Sequence, residues 1–348
     1  MSNINLNTIL CMVFIPFVFV VSIIPIIKKI AFHVGALDIP NARKVHTKPM
    51  PRMGGLGIYS GFLLGYMIFG EHTAIMNSIL IGSFVIIITG ILDDIKPLKA
   101  SHKLVGQILA AIIVVFYGNL LLRDVSFLGF YIDFKIFAYP ITILFILGCI
   151  NCMNLIDGLD GLASGISSIF FLTIGIIAYY QGRIGLSVVI TFIMLGSTLG
   201  FLAHNFYPAK IFMGDTGSMF LGFIISVITL LGFKTILTSA IIIPLCILVV
   251  PILDTVCAII RRKLKGESIG TPDKSHFHHQ LLRRNCSIRT TVLIIYLITT
   301  LFSVASIIWL LVDKEIGYII YGILMISLML FVFSTDILFD HKKERNFK

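Results

Sequence analysis

Asn151-Cys152-Met153-Asn154-Leu155-Ile156-Asp157-Gly158-Leu159-Asp160-Gly161-Leu162 stands between two apolar runs, residues 136–153 and 162–180. Either run is long enough to cross ~30 Å of hydrocarbon as a helix. The stretch is then the point where the chain leaves a membrane and re-enters it. One Asp-Gly pair is an ordinary turn, because both residues accept the backbone angles turns need. Two in succession, Asp157-Gly158 and Asp160-Gly161, behind Asn151 and Asn154, carry more polarity than a turn requires. Asn154, Asp157 and Asp160 are spaced i, i+3, i+6, which predicts one shared face if the helix continues through them. Carboxylates and amides at a membrane boundary are costly without partners, and an ion or a substrate is the usual partner.

The whole chain fits that reading. Of 348 residues, 57% are hydrophobic and 13% charged, and the mean hydropathy is +1.02. A soluble domain of this size has a far larger charged share. The expected class is all-α, a polytopic membrane protein of about eleven transmembrane helices, near 6–27, 54–70, 74–92, 104–122, 136–153, 162–180, 184–204, 219–233, 236–260, 290–312 and 316–338. The first run has no basic residue ahead of it and Lys28-Lys29 behind it, so it reads as an anchor rather than a cleaved signal. All but five of the 27 Lys and Arg fall in alternate loops and the C-terminal tail; the five are Arg123, Lys135, Arg183, Lys234 and Lys314. That asymmetry puts the basic loops in the cytoplasm, the N-terminus outside and the C-terminus inside. The whole of 1–348 is expected to form a single membrane-embedded domain. A formal net charge of +10 suits anionic partners, phospholipid headgroups or a phosphorylated substrate. The six cysteines read as reduced thiols; Cys149 and Cys152 form the lone pair at metal-ligand spacing.

The cytoplasmic loops, 28–53, 93–103, 154–161, 205–218 and 261–289, hold the chemistry. The first carries Arg43, Lys44, His46 and Arg52 around Pro49 and Pro51, and runs into Gly54-Gly55. Basic side chains on a stiffened loop at headgroup level suit a phosphate. The second opens on Asp93-Asp94, with Lys96, Lys99 and Lys103 close behind. Adjacent carboxylates repel unless a divalent metal or a lysine stands by them. The fourth holds Asn205, Phe212 and Gly214-Asp215-Thr216-Gly217-Ser218, where Ser218 reads as a cap for the next helix and Phe212 as a ring to stack on a flat base. The fifth holds His276-Phe277-His278-His279, without a thiolate and without zinc spacing. Asp254 precedes it, inside a span, placed either to hold Arg261 or another basic group or to act directly. Carboxylates and basic loops gathered on one face describe a site for Mg²⁺, with Mn²⁺ as a substitute, and a phosphate-rich substrate.

Five motifs in order resemble the polyprenyl-phosphate N-acetylhexosamine-1-phosphate transferases: Arg43-Lys44-Val45-His46 through Pro51-Arg52-x-Gly54-Gly55; Asp93-Asp94 through Lys103; Asn154-x-x-Asp157-Gly158-x-Asp160-Gly161; Asn205-Phe206-x-Pro208-Ala209-Lys210-x-Phe212-Met213-Gly214-Asp215; and His276-x-His278-His279. The last motif, within Pro272-Asp273-Lys274-Ser275-His276-Phe277-His278-His279, resembles the branch that uses UDP-GlcNAc and starts teichoic-acid, O-antigen or related glycans. The resemblance implies GlcNAc-1-phosphate transfer from UDP-GlcNAc to undecaprenyl phosphate at a bacterial plasma membrane, with UMP released and homodimers plausible. It implies Asp93, Asp94, Asp157, His276 and His279 in catalysis, with Asp93 as base, and Asp215 with Asn154 at the metal. Asp157, Asp160, Asn205 and Phe212 would face the uridine. Lys103 and the loop of His276, His278 and His279 would hold diphosphate and sugar, and Arg43, Lys44, His46 and Arg52 the lipid phosphate. No nucleic-acid role is expected. Two alternatives stand beside it: a phospho-MurNAc-pentapeptide transferase, and a transporter, which predicts charge and broken helices near the bilayer midplane.

Overall fold

The computed structural model describes residues 5–39, 49–127, 130–232, 242–266, 276–335 and 337. Arg43, Lys44 and His46 lie outside the described residues. The chain forms two compact units, Met1–Pro244 and Leu245–Lys348.

The first unit contains α1 (Leu6–Val34), β1 (Leu37–Asp38), β2 (Met50–Pro51), α2 (Gly54–Phe69), α3 (Ala74–Ile95), α4 (Ala100–Ile112, continued by a π-helical turn Ile113–Tyr117), β3 (Asp124–Phe127), β4 (Phe130–Asp133), α5 (Ala138–Ile156), α6 (Leu162–Tyr180), α7 (Leu186–Asn205) and α8 (Gly214–Gly232). The strands form two antiparallel pairs, β1 with β2 and β3 with β4. The division between the units falls within the short α9 (Ile242–Ile247). The second unit holds α10 (Val249–Leu264), α11 (Phe277–Arg283), α12 (Ile288–Leu311) and α13 (Lys314–Phe333). Among the described residues, nine helices are long and apolar enough to cross a membrane, and α2 is a shorter apolar one. The all-α, polytopic expectation holds.

The first unit is built around α8, whose residues are nearly all buried. It packs against α2, α3 and α5. Its small residues let backbones approach closely, as helices packed within a bilayer require. A Cβ on Gly222 would lie 2.5 Å from the Cys149 carbonyl of α5. Arg183, in the turn between α6 and α7, donates to the Gly232 carbonyl at the far end of α8, a cation where a helix C-terminus favours one.

Four local expectations change. The span expected at 219–233 begins at Gly214, because an acidic side chain from α3 takes up the free N–H groups of its first turn. Ser218 is therefore inside the helix, donating to the Gly214 carbonyl, and is no cap. Asn154, Asp157 and Asp160 do not share a helical face: α5 ends at Ile156, and Asp157 leaves the helical region with ψ 55°. The run 236–260 is not one helix among its described residues, since α9 and α10 are separate, with Pro251 in the first turn of α10, where its missing N–H breaks no helical bond.

Candidate active site

The ends of α3, α5 and α7 and the starts of α2, α4 and α8 meet at one end of the first unit. Backbone pairing laces two of the sequence motifs together. Phe212 N–H donates to the Pro51 carbonyl (2.9 Å), Gly54 N–H to the Phe212 carbonyl (3.0 Å) and Gly55 N–H to the Met213 carbonyl (2.9 Å). Gly55 has to be glycine for this to happen, because a Cβ there would lie 2.1 Å from Gly217 of α8. The pairing fixes Arg52 beside Asp215. The β1–β2 pairing adds Asp38 from the other side, with Arg52 N–H bonded to the Ala36 carbonyl (2.9 Å).

Asp94, near the end of α3, is buried. Its Oδ1 accepts from Asp215 N–H (2.9 Å), and its Oδ2 from Thr216 N–H (3.2 Å) and the Thr216 hydroxyl (2.6 Å). It is the N-terminal cap of α8, and the carboxylate also complements the helix dipole. Gly214, the first residue of α8, has φ +72°, and a Cβ there would lie 2.3 Å from the Asp94 carboxylate.

Asp93 turns the other way. Its Oδ1 accepts from Leu98 N–H (2.8 Å), fixing the turn into α4. Its Oδ2 is 2.9 Å from Lys103 Nζ, which also lies 2.6 Å from Asp215 Oδ2. Arg52 completes the cluster, 3.4 Å from Asp94 Oδ1, 3.6 Å from Asp215 Oδ1 and 3.8 Å from Asp38 Oδ1. Burial pulls the Arg52 pKa down, but Asp94, Asp215, Asp38 and Asp93 outweigh it and hold the guanidinium above its ordinary value. The half-buried Asp157, just past α5, is pushed up to about 7, first by desolvation and then by Asp215 and Asp94, with Arg52 acting against them.

The other sequence-derived residues in this unit have defined places. Asn154 Nδ2 donates to Ser218 Oγ (2.9 Å), one turn into α8 from Asp215. Asp160 Oδ2 accepts from Ala209 N–H (2.9 Å). Asn205 is buried; its Oδ1 accepts from Gly161 N–H and Ser164 Oγ, and its Nδ2 donates to the Ile211 carbonyl. Asp160 and Asn205 thus tie the 154–161 and 205–214 loops to each other. Phe212 is half-buried between them and Arg52.

The histidines belong to the second unit. Asp254 holds them rather than Arg261: its Oδ2 is 3.0 Å from His276 Nδ1, and its Oδ1 accepts from Phe277 N–H (2.8 Å). Arg261 instead donates to the Ile337 carbonyl. His276 and His278 stack, centroids 5.8 Å apart, and His279 tilts against His278 at 4.2 Å. His278 is buried, its Nδ1 without a partner among the described residues. Burial, and secondarily His279, push its pKa down to about 3, so the ring is neutral.

Residues 76–233 match the family described as glycosyl transferase family 4. A probable undecaprenyl-phosphate N-acetylglucosaminyl 1-phosphate transferase of Bacillus subtilis is 44% identical over 292 residues, 83% of this chain and 81% of the relative. The chain belongs to the polyprenyl-phosphate N-acetylhexosamine-1-phosphate transferase family. More distant members include a decaprenyl-phosphate N-acetylglucosaminephosphotransferase of Mycolicibacterium smegmatis, 31% identical over 302 residues (78% of this chain, 74% of the relative). An undecaprenyl-phosphate alpha-N-acetylglucosaminyl 1-phosphate transferase of Escherichia coli O157:H7 is 28% identical over 289 residues (79% and 77%). This transferase is a multi-pass protein of the bacterial inner membrane.

A divalent metal is generally expected in such phosphotransferases. The donor set suits one: Asp93, Asp94 and Asp215 each bring a carboxylate oxygen within 4.8 Å of the others, hard ligands of the kind Mg²⁺ selects. Lys103 already places a positive charge between two of them. Three residues of this candidate site escape a reading by motif. Asp38 looks like a stray acid ahead of a basic loop, Thr216 like a turn residue and Gln107 like a helix polar. Only the spacing of Gln107, one helical turn beyond Lys103, hints that it lines the same face; its Oε1 accepts from Asn151 Nδ2 (2.9 Å).

Proposed function

We propose that the chain transfers GlcNAc-1-phosphate from UDP-GlcNAc to undecaprenyl phosphate, giving undecaprenyl-diphospho-GlcNAc and UMP. One observation carries the reading: Asp93, Asp94 and Asp215 converge with Lys103 and Arg52 at one end of a membrane helix bundle. That is where a water-soluble diphosphate and a membrane-bound phosphate can meet. The relatives carry GlcNAc, not the MurNAc-pentapeptide, in their names. Asp93, Asp94 and Asp215 stand at helix ends and not at mid-helix, against the transporter reading.

Asp93, Asp94 and Asp215 would hold Mg²⁺, with the Asn154 carbonyl as neighbour. The metal supplies neutralisation of diphosphate charge and orientation of the reacting oxygens. Asp93 takes the proton of the lipid phosphate. The lipid phosphate oxygen forms a new P–O bond to the β-phosphorus, and the bond from that phosphorus to the α-phosphate oxygen breaks, with its electron pair leaving on UMP. Lys103 and Arg52 stabilise the charge that develops, from positions fixed before substrate arrives. Asp157 and Asp160 edge the nucleotide side with Phe212. Asn205 acts from inside, by holding the two loops together. In the second unit, Asp254 orients His276 beside His278 and His279, the residues to which the family resemblance gives sugar and diphosphate. The positive loops support a cytoplasmic position for this face.

The test is product identity. The full-length protein in detergent, given UDP-GlcNAc, undecaprenyl phosphate and Mg²⁺, should yield a lipid with the mass of undecaprenyl-diphospho-GlcNAc. A lipid bearing GlcNAc on a single phosphate, with UDP as the co-product, would contradict the reading.

A further inference from the structure

Lys103 stands in an unusual place for a substrate-binding lysine. Its Nζ is 2.9 Å from Asp93 Oδ2 and 2.6 Å from Asp215 Oδ2, so it stands between two carboxylates that come from the end of α3 and the start of α8. Without a cation there, the two would repel each other. The third carboxylate, Asp94, is held elsewhere by Thr216, the first turn of α8 and Arg52. Lys103 is therefore the group that keeps Asp93 and Asp215 facing one another.

Asp93 and Asp215 also belong to the trio whose carboxylate oxygens lie within 4.8 Å of one another. A cation ligated by both would need them at about 2.1 Å each. It would compete with the ammonium for the same two carboxylates, like charge against like. The two cations exclude each other. Lysine is suited to leaving, being a point charge on a flexible four-carbon stem, whereas the Arg52 fork is fixed by its backbone pairing.

We propose that Lys103 is the resident counter-ion of the metal-free site, which pre-assembles Asp93 and Asp215 and is exchanged for the divalent cation when the site loads. This rests on the metal reading above and adds an order of events to it. The ammonium released by the incoming cation is free to turn toward the diphosphate. Lys103 is then a positioning residue before loading and a substrate ligand after it.

Metal binding in the absence of nucleotide tests this. Free Mn²⁺ is counted by electron paramagnetic resonance over the full-length protein in detergent, for the wild type, Lys103→Met and Arg52→Met. With its competitor gone, Lys103→Met should bind Mn²⁺ at least ~10-fold tighter, while Arg52→Met, which removes a charge farther from its carboxylates (3.4 Å from Asp94 and 3.6 Å from Asp215, against 2.9 and 2.6 Å for Lys103), should change affinity by no more than about threefold. In EDTA the Lys103→Met protein should melt below the wild type, and Mn²⁺ should close that gap. Lys103→Gln serves if the methionine variant does not fold. Unchanged or weaker Mn²⁺ binding by the Lys103 variants would overturn the exchange, as would an equal tightening in Arg52→Met, which would mark a general field effect. If the folded wild type and variants all fail to bind Mn²⁺, the metal reading fails along with the exchange.

Discussion

Asp94 and Thr216 lie 122 residues apart in the chain and 2.6 Å apart at their side-chain oxygens. Through that bond and two backbone N–H groups, the end of α3 dictates where α8 begins, and so where Asp215 stands. Thr216→Val keeps the shape and removes one hydrogen bond to a buried carboxylate, which costs about 1.5–3 kcal/mol. A lower melting temperature and reduced turnover are expected, with Thr216→Ser close to wild type. Thermal unfolding and UMP release, measured on the same preparations, check it.

The two adjacent aspartates should separate in behaviour. Asp93→Asn keeps an oxygen for Leu98 N–H but loses the charge facing Lys103, so turnover should fall by ~10³ with little change in melting. Asp94→Leu strips the α8 cap and should lower the melting temperature as well as activity. Equal melting of the two variants would refute the division of labour.

Gly214→Ala should damage the site without touching any charge. The left-handed backbone alone costs about 1–2 kcal/mol, and the added Cβ would meet Asp94 at 2.3 Å. Loss of activity together with a lower melting temperature is the expected outcome.

His278 gives a pH dependence with a fixed sign. Folded, it resists protonation down to about pH 3; unfolded, it protonates near 6.5. The unfolded state therefore binds more protons between these values. Stability from this residue is complete above pH 6.5 and is lost as pH falls toward 3, about 2 kcal/mol of it by pH 5. Melting curves at pH 7 and pH 5 should converge in His278→Asn relative to wild type.

The membrane architecture was legible because hydropathy alone marks long apolar helices, and Asp93, Asp94, Lys103 and Asp215 because each sits at a helix end in a polar cluster. The extent of α8 was not. Its first turn reads as a glycine-rich loop, and its cap is a carboxylate more than a hundred residues upstream, a long-range contact that no local pattern records. The same reason hid Asp38 and Thr216. The i, i+3, i+6 reading of Asn154, Asp157 and Asp160 failed because α5 stops at Ile156, so that Asn154 turns to Ser218 while Asp160 turns to Ala209. Asn205 was legible as important but not as internal, since nothing in its neighbours shows that its amide is spent on Gly161, Ser164 and Ile211.

The most direct test of the central claim is UMP release by the purified protein with undecaprenyl phosphate and Mg²⁺, offering UDP-GlcNAc and UDP-MurNAc-pentapeptide separately, with Asp215→Asn and EDTA as controls. Release with UDP-GlcNAc alone, abolished by the substitution and by EDTA, is the predicted result. Release only with the pentapeptide donor, or from UDP-GlcNAc at the same rate in EDTA or in Asp215→Asn, would contradict it.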